Sequence, residues 1–574
     1  MKGYQRRVLY LILVIIFSFW TVKPLFHEGF FPMHDDTQPA RVYEMAQALS
    51  HGQFPVRWVG DLGYGYGYPL FNFYAPLPYY TGAIFNLIGF DSIVSTKIMF
   101  FIGIILAGIT MFYLLTNLVG EAGALVGSLL YMYAPYHAID IYVRGAVSEI
   151  YAIGFLPLFL AGIYRIFSSK LVTHHKNNLF NLIPTLKSDK EIKKGILTSI
   201  IGFAVILLSH NLMGMIVIEF FIVGMIVYFL FHLFKRQNPT KLYLLMTVFL
   251  IGLGISSFFI LPAFAEKNFT RINELITGGS KFSDHFVYLD QLWSSPWGFG
   301  GSALGRADGM SFMIGKIHLL LGILSIPVVL IFHKRKKINN FQFSIFSSQL
   351  ILFVISVFLV LDISGYIWAL MPGFAYIQYP WRFLAISIFS ISAMISFIVV
   401  CLRKEIQLIF CIVFILLMIW FNSRYFVPKE YLPLKQSDYT SNLNLRYKIS
   451  KISDEYLPYD FIIPKSTYEI ALQGINSSPD FKVKYFSDTP VKKLFNIESA
   501  ASKSLQTNVA YFPGWQVKID GFDTTLKSRN GRIEIFIPQG QHSIEFNLRN
   551  TFIRILSNSI SIFALFLLVY IIVL

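Results

Sequence analysis

At 574 residues, 55% of them hydrophobic and only 14% charged, the chain carries far less charge than the roughly 25% of an average soluble protein, which excludes a soluble globular domain of this size. Its net charge of +16 sits in short clusters between apolar runs and is joined by no recognition motif, which excludes nucleic acid as a partner. The two cysteines, Cys401 and Cys411, both lie within apolar runs and offer neither a disulfide framework nor a metal motif.

Apolar runs of about 20 residues, enough to cross a hydrocarbon layer of roughly 30 Å, recur along the chain. The first, Val8 to Phe26, follows Lys2, Arg6 and Arg7 and is followed by no small-residue cleavage site. It reads as a retained signal anchor that exits on the outer face. A segment rich in Tyr, Phe, Pro and Gly then fills residues 27–91, and Thr37 to Ser50 within it reads as a helix. Spans follow at Ile93–Leu118, Ala122–Ala138 and Ala146–Phe167, then a basic loop, Ser168–Lys194. Gly195–Ser209, Leu212–Phe234 and Leu242–Ala263 come next, then an outer loop from Phe264 to about Ser311 and a span ending at Phe332. Ser344–Leu361, Phe383–Leu402, Glu405–Phe421 and Phe552–Leu574 complete about twelve spans. The basic clusters Lys170 to Lys194, Lys235 to Lys241, Lys334 to Lys337 and Arg403 with Lys404 then share one side. That is the positive-inside pattern of a multi-pass cell-membrane protein with both termini cytoplasmic.

Residues 422–550 differ in texture. Short apolar runs alternate with polar residues, as in Trp515-Gln-Val-Lys-Ile-Asp520 and Arg532-Ile-Glu-Ile-Phe-Ile537. Asn530-Gly531 marks a hairpin, and Pro513-Gly514 and Gln539-Gly540 punctuate neighbouring strands. The expected organisation is therefore a helical membrane domain, 1–421, a small extracytoplasmic β-sandwich, 422–550, and a closing transmembrane helix, 551–574.

Ionisable groups are costly within lipid, by about 2.5–3.5 kcal/mol at a helix centre, so those near span ends carry information. On this topology one set gathers on the outer face: His34, Asp35, Asp36, Arg41, Arg57, Asp61, Arg144, Glu149, His210, Asn211 and Arg382. Asp35 and Asp36 together suit a hard divalent cation such as Mg²⁺ or Mn²⁺. One of them alternatively suits a general base, or the pair caps the helix that follows. Arg144 and Glu149 suit either a mutual ion pair or separate roles, Arg144 on a phosphate and Glu149 with the acidic cluster. His210 and Asn211 form a turn or a polar pair, and Arg382 either snorkels or clamps a lipid phosphate. Eight aromatic residues from Tyr64 to Tyr80 suit an interfacial belt, stacking on sugar rings or cover for a prenyl chain. Glu219 stands alone inside a span, to pair within the bundle or to mark a transport path.

An outer loop beginning His34-Asp35-Asp36, followed by a long amphipathic segment and many spans, resembles the GT-C superfamily of membrane glycosyltransferases. Met33-His-Asp-Asp-Thr37, Tyr68-Pro-Leu-Phe-Asn-Phe-Tyr74, Arg144 to Glu149 and Tyr379-Pro-Trp-Arg382 resemble a bacterial subgroup labelled 6-pyruvoyl-tetrahydropterin synthase-related membrane proteins. The stretch from Tyr511-Phe-Pro-Gly-Trp515 to Phe546 is similar to the outer domain of YfhO-type membrane proteins. The pterin label finds no match in the residues: soluble pterin synthases are zinc enzymes with closely spaced histidines, and only His174-His175, on the expected cytoplasmic side, is so placed. The resemblance implies transfer of a sugar from a polyprenyl-phosphate donor to a glycan, lipid or protein acceptor at the outer face. It implies Asp35 or Asp36 as base, the other as metal ligand or positioning group, with Glu149 in support. Arg144 or Arg382 would hold the lipid phosphate, and His34, Arg41, Arg57, His210 and Asn211 would complete the substrate-binding set. A lipid-linked glycan transporter or flippase, or an envelope scaffold without catalysis, are the competing expectations.

Overall fold

The computed structural model describes residues 3–169, 186, 189–236, 239, 241–272, 281–371 and 373–574. Most of the basic loop between Ser168 and Lys194, with His174 and His175, lies outside the described residues. The helices are α1 (Gly3–Phe17), α2 (Gln38–Ser50), α3 (Leu77–Leu87), α4 (Ser92–Met132), α5 (Val147–Ser168), α6 (Lys190–Ser209) and α7 (Asn211–Phe234). They continue as α8 (Leu242–Ala265), α9 (Lys316–Lys334), α10 (Asn340–Val360), α11 (Leu384–Cys401), α12 (Lys404–Asn422) and α13 (Phe552–Val573). Among the described residues, eleven helical stretches are long and apolar enough to cross a membrane. The protein is a multi-pass helical membrane protein with a C-terminal β-domain.

Two of the expected twelve spans fall within α4. Its Gly120 leaves helical geometry at φ 75°, ψ 177°, a region reserved in practice for glycine. A methyl built on Gly127 would strike Leu115 Cδ1 and one on Gly108 would strike Met132 Sδ, so the two arms run antiparallel. The second arm ends six residues before the expected Ala138, because Pro135 has no N–H to continue the ladder. Small residues let other helices touch: a methyl on Gly162 of α5 would overlap Ser199 and Gly195 of α6, the close approach that stabilises helix pairs in lipid. The stretch containing α11 is almost wholly buried and forms the centre of the bundle.

The residues expected at the cytoplasmic end meet one another. Arg6 pairs with Glu121 at 2.8 Å, Gln342 donates to the Leu118 carbonyl, Arg165 pairs with Glu191 at 2.6 Å, and Lys193 donates to the Ile572 carbonyl. At the opposite ends of these helices lie the segment 27–91 and everything between 422 and 550.

The strands are β1 (Phe481–Asp488), β2 (Lys492–Ser499), β3 (Lys503–Ala510), β4 (Trp515–Ile519), β5 (Phe522–Thr524), β6 (Lys527–Arg529), β7 (Arg532–Ile537) and β8 (Gly540–Leu548). They form two antiparallel sheets, ordered β1-β2-β8-β4-β5 and β3-β7-β6. Alternate residues are buried, including Phe495, Ile497, Ile544 and Phe546 in the first sheet and Ile533, Ile535 and Ile537 in the second. The expected hairpin is present: Arg529 faces Arg532 across Asn530 and Gly531, both with positive φ. Residues 422–480 carry no strand and run instead through short helical turns across the segment 27–91. Arg446 pairs with Asp61 at 2.6 Å, Leu432 bridges Phe30, and Ala471 N–H donates to the Tyr64 carbonyl.

The aromatic cluster corrects an expectation. Tyr64, Tyr68, Phe71, Phe73 and Tyr79 are buried, not arrayed at a membrane surface. Tyr64 meets Tyr447, Tyr68 and Phe73 meet Tyr456, and Phe73 meets Phe512, so these rings weld the segment 27–91 to the chain some 400 residues on.

Candidate active site

The centre of the site is Glu149, in the first turn of α5 and fully buried. Three groups converge on it. Tyr136 donates its hydroxyl to Oε1 at 2.5 Å, Arg144 donates to Oε2 at 2.9 Å, and Arg382 Nε stands 3.8 Å from Oε2. Arg144 also pairs with Asp140, one helical turn earlier. The backbone between them is a π-helical turn, Asp140–Arg144, closed by Gly145 at φ 68°. A methyl at Gly145 would overlap Met33, so the absence of a side chain lets the His34 segment lie against this turn. Two backbone bonds fix that contact: His34 N–H to the Val143 carbonyl at 3.0 Å and Asp35 N–H to the Arg144 carbonyl at 2.9 Å.

Arg382 enters from the start of the central helix. It donates to the Ile377 carbonyl at 2.5 Å and lies against the rings of Tyr379 and Trp381, while Arg144 covers the other indole contact at 4.4 Å. Its Nε, like the indole N–H of Trp381, is buried without a hydrogen-bond acceptor. His210 caps α7, its Nδ1 accepting from Met213 N–H at 3.0 Å. That bond leaves the proton on Nε2 in the neutral ring. Burial, with Arg382 and Arg144 adding to it, holds the imidazole down at about 3 despite the opposing pull of Glu149. Burial and the neighbouring Glu149 raise the Asp140 carboxyl well above the usual range, against the pull of Arg144.

The expected residues divide into those that meet and those that do not. Arg144, Glu149, His210 and Arg382 share one cluster, and Asp35 is anchored to it by its backbone. His34 is exposed beside it, its Nε2 3.1 Å from the Phe299 carbonyl of the loop before α9. Asp36 points elsewhere: Tyr439 donates to its carboxylate at 2.7 Å, and burial raises that carboxyl while the hydroxyl opposes the rise. The N-cap of α2 is Thr37, with no side-chain cap bond, so the aspartates do not cap that helix.

Arg41 is buried, bonded to Tyr79 and Ser453 and stacked on Tyr74 at 4.3 Å, which places it beneath the aspartate loop. Arg57 belongs to a separate network, donating to Asn72, the Phe258 carbonyl and Asn558. Glu266 and Arg554, paired at 2.9 Å, complete that network and tie α13 to the end of α8. Asn211 donates to the Phe73 carbonyl at 2.7 Å and serves the packing of the segment 27–91. Glu219 is half-buried against Gly373.

The aspartate pair does not fit a dedicated metal centre. No group of three or more His, Cys, Asp or Glu side chains among the described residues is placed to hold an ion, and Asp36 is already engaged by Tyr439. Sequence reasoning missed Asp140, Tyr136 and Tyr439 as members of the site, and singled out Trp381 only within Tyr379-Pro-Trp-Arg382. Asp140 and Arg144 are spaced i, i+4, a spacing that brings side chains onto one helical face.

No family model matches the chain, and no curated protein matches it. Solved structures with similar backbones include ArnT from Cupriavidus metallidurans bound to undecaprenyl phosphate, with TM-score 0.36, 12% identity, and coverage of 70% of this chain and 62% of that one. Another is the Archaeoglobus fulgidus oligosaccharyltransferase in its apo form, with TM-score 0.41, 11% identity, and coverage of 82% and 61%. A third is AglB from Archaeoglobus fulgidus in complex with an inhibitory peptide and a dolichol-phosphate, with TM-score 0.39, 12% identity, and coverage of 73% and 55%. The chain thus spans between 55% and 62% of the length of these proteins.

Proposed function

We propose that the protein is a GT-C type glycosyltransferase, moving a sugar from a polyprenyl-phosphate donor to an envelope glycan, lipid or protein acceptor on the outer face of the membrane. One observation carries the reading: two buried arginines converge on a single carboxylate, and Arg382 Nε and Trp381 Nε1 are buried without a hydrogen-bond partner. A phosphate bound here would supply the acceptors that these two N–H groups lack.

In this reading an acceptor oxygen attacks the anomeric carbon as the bond from that carbon to the phosphate oxygen breaks. The acceptor's proton passes to Asp35, whose backbone is pinned beside Arg144 and whose carboxylate is the less encumbered of the pair. The electrons of the broken bond leave on the phosphate, whose growing charge Arg382 and Arg144 offset. Asp36, held by Tyr439, orients the loop, and Glu149 keeps the two guanidinium groups apart and aimed. Arg6 and Arg165, which pair with Glu121 and Glu191 at the helix ends away from this site, support an outer-face orientation.

The test is transfer of labelled sugar from a polyprenyl-phosphate lipid to envelope acceptors in proteoliposomes. The wild type should form labelled product, and Asp35→Asn combined with Asp36→Asn should reduce the rate by at least about 100-fold. An unchanged rate in the double variant, or movement of intact donor across the bilayer without product, overturns the assignment.

A further inference from the structure

Away from the candidate active site, two hollows adjoin on the flank between α1 and α4. The smaller one, about 370 Å³, runs along the end of α1 and the turn beyond it, past Ile15, Ile16, Phe19 and Val22. No charged side chain lines it, and its one hydroxyl, Ser18, is already committed to the Ile15 carbonyl at 2.6 Å. Ile15, Ile16 and Phe19 are exposed on a stretch long and apolar enough to cross a membrane. The second hollow, about 730 Å³, shares Phe26 and Phe101 with the first and so continues it toward the polar end of the bundle.

The character of the lining changes in this second hollow. Lys97 and Lys435 face it together with Glu28 and Asp91. Among the described residues these four form no ion pair with one another. Lys97 gives one of its three N–H bonds to the His27 carbonyl at 2.6 Å. Asp91 uses Oδ1 to cap α4, accepting from Val94 N–H at 2.7 Å, which leaves Oδ2. The ammonium of Lys435 and the carboxylate of Glu28 are exposed, and neither makes a hydrogen bond or ion pair among the described residues.

We propose that this groove binds a phospholipid whose head carries both a phosphate and a primary amine, a phosphoethanolamine lipid. The chemistry selects it by exclusion. A head bearing only negative charge meets Glu28 and Asp91, and one bearing only positive charge meets Lys97 and Lys435. A zwitterion places its phosphate on the lysines and its ammonium on the carboxylates, and each contact is a charge-assisted hydrogen bond. The apolar hollow along α1 receives an acyl chain, and Phe26 and Phe101 mark the junction of head and tail. The polar hollow includes Leu434 to Gln436, just before the Tyr439 that holds Asp36, so the bound lipid borders the aspartate loop without contributing to it.

The experiment is native mass spectrometry of the full-length protein, delipidated in detergent and titrated with phosphatidylethanolamine or phosphatidylglycerol of matched chains. Phosphatidylethanolamine should bind at least about five-fold more tightly, and Lys435→Ala and Glu28→Gln should each remove most of that preference. Both side chains are exposed, so neither change threatens folding, and an unaltered thermal midpoint verifies it. Equal or tighter binding of phosphatidylglycerol, or variants that keep the wild-type preference, overturn the proposal.

Discussion

Glu149 is a buried carboxylate whose cost of desolvation is met only because Tyr136, Arg144 and Arg382 surround it. Glu149→Gln keeps its shape and removes its charge, leaving buried Arg144 and Arg382 without the carboxylate they share. Losing one partner of such an arrangement costs about 3–5 kcal/mol. We expect a clear fall in the thermal midpoint in detergent together with loss of transfer activity. His210 gives a pH-dependent counterpart. Its imidazole is held at about 3 in the folded protein, against roughly 6.5 unfolded. Its contribution to stability is therefore complete above about pH 6.5 and is lost progressively as pH falls toward 3. His210→Asn keeps a cap for Met213 N–H but cannot titrate. The variant's midpoint should fall less than the wild type's between about pH 7.5 and pH 5. At this scale the sequence allowed two readings for Arg144 and Glu149, and the ion pair is present. The burial of Tyr64, Tyr68 and Tyr79 was not legible, because a tyrosine near a span end fits an interface as well as a core.

Helices were the most legible elements, since a long uncharged apolar run in lipid has one stable conformation in which every backbone group is satisfied. Their ends were less so. Pro135 stops the second arm of α4 early, and the π-helical turn after it, which carries both Asp140 and Arg144, has no signature in hydropathy. Gly120 allows a direct test of the reversal in α4. A methyl there would touch nothing, so any penalty comes from the backbone alone. Gly120→Ala should cost about 1–3 kcal/mol. Gly224→Ala, in the ordinary helical backbone of α7 with equally open surroundings, should cost nothing measurable. Thermal midpoints of the two variants make the comparison. In the β-domain, Asn530-Gly531 revealed its hairpin because the two-residue turn requires positive φ at both positions.

Across the whole molecule, the placement of charge anticipated which segments converge, since Arg144, Glu149, His210 and Arg382 lie in three separate connections that the topology assigns to one end. What left no trace in the sequence is the closure of residues 422–480 over the segment 27–91, through Arg446 on Asp61 and Tyr439 on Asp36. Contacts across such distances impose no local periodicity. The topology is checked by replacing exposed His34 and Lys334 with cysteine, the native Cys401 and Cys411 being buried. In intact cells an impermeant maleimide should label His34→Cys and spare Lys334→Cys until the membrane is opened.

The central claim, that Arg382 and its neighbours await a lipid phosphate, is tested most directly by the affinity of purified protein for a polyprenyl phosphate that carries no sugar. Wild-type protein should bind it, and Arg382→Gln, measured at a temperature where both proteins remain folded, should bind at least about ten-fold more weakly. Equal affinity in the two proteins would contradict the account.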